Sequence, residues 1–210
     1  MSAQSTILLA ILLPLAGAVG IALAGRVSAN ARETVTLVTA GGLALTVWSL
    51  LPSVMAGGRP AVTVTELLPG VELAFRVEPL GMLFAALASG LWIVNSLYSI
   101  GYMRGNNEKH QTRFYVMFAV SLAATMGVAF AGNLITLFLF YEMLTLSTYP
   151  LVSHKGDANT VRSARVYLGI LLTTSIGLFL PAIIWTYTVA GGGDFVAGGI
   201  LAGHVEGPAI

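Results

Sequence analysis

The stretch FYEMLTLSTYPL, residues 140–151, places a single carboxylate inside a long apolar segment. Thr145 and Tyr149 follow Glu142 at i+3 and i+7, so all three side chains share one face if the segment is helical. Counted from Asn133 at about 1.5 Å per residue, Glu142 lies on the order of 14 Å deep in a hydrocarbon layer roughly 30 Å thick. An ionisable group at that depth is costly, so a partner must compensate it or a function must use it.

Two interpretations of Glu142 follow from this position. It is either a proton-carrying carboxylate, with Thr145 and Tyr149 supporting a short hydrated route toward the end of the helix, or a structural group, neutral or ion-paired, that joins helices. Ionisable residues inside a membrane span are functional sites by default, which favours the proton carrier.

The residues around the end of this helix extend the hypothesis. Pro150 removes the backbone bond to the Leu146 carbonyl, so the helix should bend in its last turn, and Pro181 is a second predicted kink. His154 and Lys155 follow directly. They are interpreted either as part of a solvated loop, because a helix C-terminus favours basic residues, or as a site of proton uptake.

The composition places the chain in a membrane. Of its 210 residues 56% are hydrophobic and 9% charged, with a mean hydropathy of +0.85, whereas a soluble domain carries roughly 25% charged residues. The absence of Cys excludes disulfides, thiolate metal sites and iron–sulfur ligation from these residues, and a net charge of +1 argues against nucleic acid. No nucleophile–base pair, phosphate loop or metal-ligand spacing occurs, so no catalytic residue, cofactor or metal is predicted.

The predicted fold is an all-α polytopic membrane protein with about six transmembrane helices. A span needs about 20 apolar residues, and the first apolar run lacks a basic leader, so it is predicted to be a retained helix rather than a signal peptide. The second span is the least regular, because two glycines and Trp48 interrupt it. The six segments lie near residues 6–25, 34–55, 80–103, 114–131, 134–152 and 166–190.

The segments between the spans are also informative. Residues 60–79 contain two β-prone halves separated by LPG, which predicts a β-hairpin outside the hydrocarbon. Gly132 and Asn133 alone join the fourth and fifth spans, so these form an antiparallel helical hairpin. The predicted regions are N-terminal helices (1–58), the hairpin (59–79), helices three to six with a proton-translocating repeat starting near residue 114 (80–190), and a Gly-rich loop tail (191–210).

The basic residues indicate the orientation. With six spans they collect on one side, which the positive-inside rule makes cytoplasmic; the N-terminus, the hairpin and the tail then face outward from the cell membrane. The basic side receives Arg26, Arg32, Arg104, Lys109, Arg113, Lys155, Arg162 and Arg165. The other side receives Arg59, Arg76, Glu66, Glu72, Glu78, Asp194 and Glu206.

Several motifs resemble the antiporter-like proton-translocating subunits of respiratory complex I, Mrp-type Na⁺/H⁺ antiporters and membrane-bound hydrogenases. They are FRVEPLGMLF, LYSIGYM, NLITLFLFYEMLTLSTYPLVSH, ARVYLGILLTTSIGLFLPA and DFVAGGILAGH. The resemblance covers most of the chain from about residue 75. The fifth-helix motif leans toward the branch that holds the D-type Mrp subunits and the hydrogenase subunits.

The resemblance implies about fourteen helices, with two inverted five-helix repeats that each contain a broken helix. It equates Glu142 with a fifth-helix Glu that pairs with a Lys on the seventh, broken helix. Lys155 is not that residue, because it follows the fifth helix directly. The chain is therefore expected to be either an N-terminal fragment or a split subunit completed by a second polypeptide.

The implied function is proton translocation, within a bacterial or archaeal multisubunit cation/proton antiporter or an NADH:quinone oxidoreductase-like or hydrogenase complex. The expected partners are other membrane subunits, the lipid bilayer, protons and Na⁺, without nucleic acid, and any electron carrier would belong to a different polypeptide. Two alternatives stay open: a non-conducting structural or assembly role in the membrane, and a membrane component for proton-coupled uptake of inorganic carbon with a soluble partner.

Overall fold

A computed structural model describes residues 2–205. Met1 and residues 206–210, which include Glu206 and the end of the Gly-rich tail, lie outside the described residues. The elements in chain order are α1 (Ala3–Ala24), α2 (Ala29–Trp48), α3 (Leu51–Met55), β1 (Ala61–Leu68), β2 (Val71–Arg76), α4 (Pro79–Gly105), α5 (Gln111–Ala129), α6 (Leu134–Val152), α7 (Ala158–Thr174), a π-helical turn (Ser175–Phe179) and α8 (Leu180–Ala190).

The described residues form six helical segments that are long and apolar enough to cross a membrane, which confirms the predicted number of spans. The second span joins α2 to α3 over Ala29–Met55, and the break between them follows Trp48. The sixth span joins α7, the π-helical turn and α8 over Ala158–Ala190. The chain is a multi-pass membrane protein.

Two predicted boundaries were too late, because the first turns of those helices are polar. The second span begins at Ala29 rather than residue 34, after Ser28, whose hydroxyl accepts a hydrogen bond from the N–H of Ala31 at 3.0 Å. The sixth begins at Ala158 rather than residue 166, and its cap is Asp157. Hydrogen bonds from the hydroxyl and the backbone N–H of Thr160 hold the pKa of Asp157 below its usual value.

The core lies between α1, α2, α4 and α5. Its largest fully buried side chains include Ile7, Leu43, Trp92, Met126 and Phe130. The later helices are far less covered: 11% of the most apolar stretch of the sixth span is buried, against 44% for α5. In a membrane, an uncovered apolar helix face is a lipid-facing surface or the contact surface of another helix.

The predicted hairpin is present. Strands β1 and β2 pair antiparallel, with Leu68 opposite Val71 and two residues between them. Gly70 in this connection has φ +76°, a left-handed conformation that glycine adopts without steric cost. As predicted, α5 and α6 form an antiparallel helical hairpin around a short turn that includes Gly132 and Asn133.

The turn between α5 and α6 is held by segments from two other parts of the chain, and we call this arrangement the clasp. On one side β2 pairs with it: Arg76 donates to the Phe130 carbonyl at 2.7 Å, and Gly132 donates to the Ala74 carbonyl at 2.9 Å. On the other side lies the start of the Gly-rich tail, where Phe195 donates to the Gly132 carbonyl at 3.2 Å.

Further contacts complete the clasp. The Arg76 guanidinium donates to the Phe195 carbonyl at 3.1 Å, so β2 and the tail also touch each other. Asn133 is 1% exposed; its side-chain oxygen caps α6 at Thr136, and its amide donates to the Glu72 carbonyl at 2.8 Å. From residue 191 to residue 205 the tail forms bends and turns rather than helix.

The helix ends fall on two opposite sides of the bundle. The hairpin side carries the clasp. On the basic side, the side chain of Arg113 at the start of α5 donates to the His154 carbonyl after α6 at 3.1 Å, and Arg32 at the start of α2 donates to the Gln111 side chain at 2.7 Å. Arg32, predicted in a loop, is instead part of α2 and 6% exposed.

Replacing Gly81 with Ala is expected to destabilise the protein by about 2–3 kcal/mol, since overpacking a tight contact forces backbone shifts. A Cβ at Gly81 on α4 would collide with the backbone carbonyl oxygen of Ala129 at the end of α5, and a backbone atom cannot move aside cheaply. Gly101→Ala, on the same helix with no atom within 4 Å of its Cβ, is the control and should be neutral or slightly stabilising. Thermal unfolding in detergent measures both; equal midpoints would contradict the prediction.

Candidate functional site

Glu142 lies at the centre of the 19-residue helix α6. The residue is half-buried, but its Oε1 atom is fully buried and has no hydrogen-bond partner among residues 2–205. The described ion pairs join other residues, so no Lys or Arg of this part of the chain pairs with Glu142. A buried carboxylate oxygen without a partner is costly in its charged form.

The side of α6 that contacts α5 is well defined. The hydroxyls of Ser147 and Ser121 share a hydrogen bond of 2.9 Å between the two helices. Phe140 packs over Gly127, where an added Cβ would collide with the Phe140 ring. At about 100° per residue, Glu142 points roughly 140° away from Ser147. The carboxylate therefore faces away from α5.

The π-helical turn packs against residues of α6 that lie close to Glu142 in the sequence. The ring of Phe179 in that turn meets the rings of Phe138 and Tyr141 edge-on, with centroids 6.0 and 6.3 Å apart. Leu139 and Leu146, which flank Glu142 on the helix surface, are 40% and 54% exposed. Glu142 thus lies at the border between a packed helix contact and an uncovered apolar surface.

Thr145 and Tyr149 share the face of Glu142, because α6 is helical from Leu134 to Val152. Thr145 is buried at 5% exposure and Tyr149 is half-buried. No hydrogen bond among the described residues joins these three side chains to one another. The structure therefore brings them together as a stripe along one helix face, and a proton route along that stripe stays a prediction.

The two prolines have different surroundings. Helix α6 continues through Pro150 to Val152, and the Tyr149 carbonyl accepts hydrogen bonds from the N–H and the hydroxyl of Ser153 at 3.0 and 2.9 Å. Pro181 is the second residue after the π-helical turn, a widened geometry that often accompanies kinks and functional sites. The bends at both prolines stay predictions.

His154 and Lys155 lie at the basic side, beyond the end of α6, and their environments differ. Lys155 is exposed. Both ring nitrogens of His154 are buried without a hydrogen-bond partner in the described chain, and its ring meets Phe114 of α5 edge-on at 5.6 Å. Burial, with the charge of Arg113, lowers the pKa of His154. Neither side chain hydrogen-bonds to the stripe on α6.

Sequence reasoning missed an ion cluster at the basic side, in which Arg32 and Glu33 are buried and Arg104 is exposed. Glu33 is 6% exposed and accepts hydrogen bonds from Arg32 at 3.0 Å and from the Nε of Arg104 at 2.9 Å. Arg104 also donates to the second carboxylate oxygen of Glu33 and to the Asn30 side chain. The cluster ties the starts of α2 and α5 to the end of α4, because Arg32 also bonds to Gln111.

The cluster extends into the core through an aromatic contact. The Arg32 guanidinium carbon lies 5.2 Å from the ring centroid of Tyr115, a cation–π geometry. The available sequence signal was the pair Arg32–Glu33 two and three residues after Asn30, in the first turn of an apolar helix. The predicted second span begins at residue 34, just after Glu33, so the prediction leaves both residues outside the helix.

Comparisons with known proteins show which family this chain resembles. Residues 131–201 match the family model described as NADH:quinone oxidoreductase/Mrp antiporter, TM. The A1 component of a Na⁺/H⁺ antiporter from Staphylococcus aureus (strain bovine RF122 / ET3-1) is 33% identical over 98 residues, 47% of this chain and 12% of that protein. The A/B component of a probable K⁺/H⁺ antiporter from Rhizobium meliloti (strain 1021) is 30% identical over 152 residues, 70% of this chain and 14% of that protein.

Two solved structures share the fold. The membrane-bound sulfane sulfur reductase, an archaeal respiratory membrane complex, contains a chain that superposes with a TM-score of 0.76 at 15% identity, covering 90% of this chain and 38% of that one. The Mrp complex from Dietzia sp. DQ12-45-1b gives a TM-score of 0.75 at 24% identity, covering 90% and 20%. The chain thus spans a small part of each of these relatives.

Proposed function

The chain belongs to the Mrp- and complex I-like family of antiporter subunits, and from this premise we propose that it forms part of a proton-translocating subunit in which Glu142 carries the proton. The observation that supports the proposal most directly is the position of Glu142 at the centre of a membrane span, with a buried oxygen that has no partner among the described residues. Such a group is costly to keep without a use or a compensating charge.

The compensating charge is proposed to come from a helix outside residues 2–205. Glu142 faces away from α5, and Leu139 and Leu146 beside it are exposed, so the surface around the carboxylate can receive another helix. The family resemblance implies a Lys on a seventh, broken helix as the partner. Such a cation would compensate the charge of the carboxylate, and its approach and withdrawal are the proposed cause of proton release and uptake.

The route on the basic side is proposed to run along Thr145 and Tyr149 to the end of α6, with proton uptake near His154 and Lys155. By the positive-inside rule this side faces the cytoplasm of a cell whose plasma membrane holds the protein. The N-terminus, the clasp and the tail then face outward. The N-terminal helices (1–58) and the hairpin (59–79) frame a proton-translocating repeat that begins near residue 114.

The assembly is proposed to be a multisubunit cation/proton antiporter or a respiratory membrane complex, with other membrane subunits as partners. The relatives are named as components of Na⁺/H⁺ and K⁺/H⁺ antiporters, which supports a monovalent cation as the coupled ion. Both relatives carry A-type names, whereas the fifth-helix motif favours the D-type branch, so the branch stays a prediction.

The test separates transport from assembly. Glu142→Gln is introduced into the full-length protein within its complex, and proton-coupled cation transport is measured in membrane vesicles beside the amount of assembled complex. Loss of transport with normal assembly supports the proposal. Loss of assembly would indicate a scaffolding role instead, and normal coupling in the assembled variant would refute the proton carrier.

A further inference from the structure

His154, in the loop after α6, makes two described contacts with the start of α5. Its ring packs edge-on against Phe114, with an interplanar angle of 70°. Its carbonyl accepts a hydrogen bond from the Arg113 side chain at 3.1 Å. Both contacts join the same two elements, so packing of the ring adds to the hydrogen bond in holding the loop against α5.

In the packed position, a second N–H on the ring has no hydrogen-bond acceptor among the described residues. The two ring nitrogens are buried, and neither has a hydrogen-bond partner among the described residues, although an imidazolium has two N–H donors to satisfy. A protonated ring would therefore leave both donors without acceptors in the packed position. Moving the ring into water satisfies both donors and gives up the contact with Phe114.

The charged groups around His154 have opposing effects on the protonation of its ring. Arg113 on α5 and His110 just before α5 disfavour a positive charge on the ring, while Glu108 in the same loop favours it. Within its own loop, Lys155 is exposed and Asp157 is engaged in capping α7. Burial of the ring is the largest effect, and the pKa of His154 is lowered.

We propose that His154 is a pH-sensitive latch: the neutral ring holds the loop between α6 and α7 against α5, and protonation releases it. The position of this loop does not depend on whether Glu142 carries a proton. In functional terms, the latch is a connection at the basic side that loosens when protons accumulate there.

The direction of the pH dependence follows from linkage. Because packing lowers the pKa of His154, the released ring binds a proton more readily than the packed ring does. The closed latch is therefore fully favoured above the ordinary histidine pKa of about 6.5. The free-energy preference for the packed ring is lost progressively as the pH falls from about 6.5 toward the lowered pKa of that ring.

Labelling of a buried cysteine tests the latch, because these 210 residues contain no Cys. Ser153→Cys places a thiol beside the latch at a position that is 8% exposed. The full-length protein, with any other cysteine replaced, is solubilised in detergent and labelled with a maleimide between about pH 8 and about pH 5.5, which brackets the ordinary histidine pKa. Rates are divided by those of Asn106→Cys, an exposed position on the same side, to remove the pH dependence of the thiol itself.

The normalised rate is expected to rise roughly threefold or more toward the acidic end of this range, as the released state gains population. His154→Phe keeps a ring against Phe114 but cannot be protonated, so its rate should stay low and independent of pH. A flat profile with His154 present, or the same rise with His154→Phe, would overturn the latch. Glu142→Gln should leave the profile unchanged, so failure of the latch and failure of the proton carrier are distinguishable.

Discussion

Glu142→Gln is expected to reduce proton-coupled transport by roughly 100-fold or more, the range in which proton-transfer groups contribute to rates. Gln preserves the shape and the hydrogen-bonding oxygen of the side chain but has no titratable proton. Its neutral amide also cannot attract a cationic partner from another helix. The measurement is the initial rate of cation-driven proton movement in vesicles, normalised to the amount of assembled complex.

Two controls make this result specific. Glu142→Asp retains the carboxylate but is one methylene shorter, so it should recover part of the transport that Gln loses. Glu66→Gln removes an exposed carboxylate on β1, at the hairpin side, and should leave the rate unchanged. If Glu66→Gln were impaired as strongly as Glu142→Gln, general sensitivity to a lost carboxylate would explain the data better.

Glu33→Gln is expected to destabilise the folded protein by about 3–5 kcal/mol, the cost of breaking a buried ion pair by removing one partner. Glu33 and Arg32 are both 6% exposed. Without the carboxylate, Arg32 is left as a buried cation whose remaining partners are the neutral side chains of Gln111 and Thr112 and the ring of Tyr115. Resistance to thermal unfolding in detergent is the appropriate measurement.

Glu78→Gln is the matched control for the loss of folding stability that we expect of Glu33→Gln. Glu78 also pairs with an arginine, accepting a hydrogen bond from Arg59 at 2.9 Å, but the two side chains are 46% and 40% exposed. An exposed pair contributes about 0–1 kcal/mol, because water screens it. Comparable losses for Glu33→Gln and Glu78→Gln would show that the ion cluster is not the stabilising feature described.

Most of the architecture could be predicted from local signals. Apolar length indicated the six spans, and the turn at Gly70 together with the short link at Gly132 indicated both hairpins. That link has four residues, 130–133, rather than the predicted two. The position of Glu142 at the centre of α6 also followed from counting along the chain. Each of these features depends on residues that are close in sequence, so the pattern alone carries the information.

The features that sequence reasoning missed depend on residues far apart. Glu33 and Arg104 form an ion pair although they are 71 positions apart in the sequence, and no local pattern predicts such a pair. The polar first turns after Ser28 and Asp157 are not predicted by hydropathy, because hydropathy is averaged over a whole span. A capping side chain, by contrast, bonds to individual backbone N–H groups. The burial of the His154 ring nitrogens was equally unpredictable, since the ring packs against Phe114 of a different helix.

The clasp has a consequence for how the chain is made. Phe195 follows Gly132 by 63 residues, so at about 5–20 residues per second the ribosome needs roughly 3–13 seconds to deliver the tail after the turn itself. During that interval the turn at Gly132 can be held by β2 alone. Synthesis that stopped before Phe195 would leave this turn with one open edge, and such a product should be degraded faster than the finished chain.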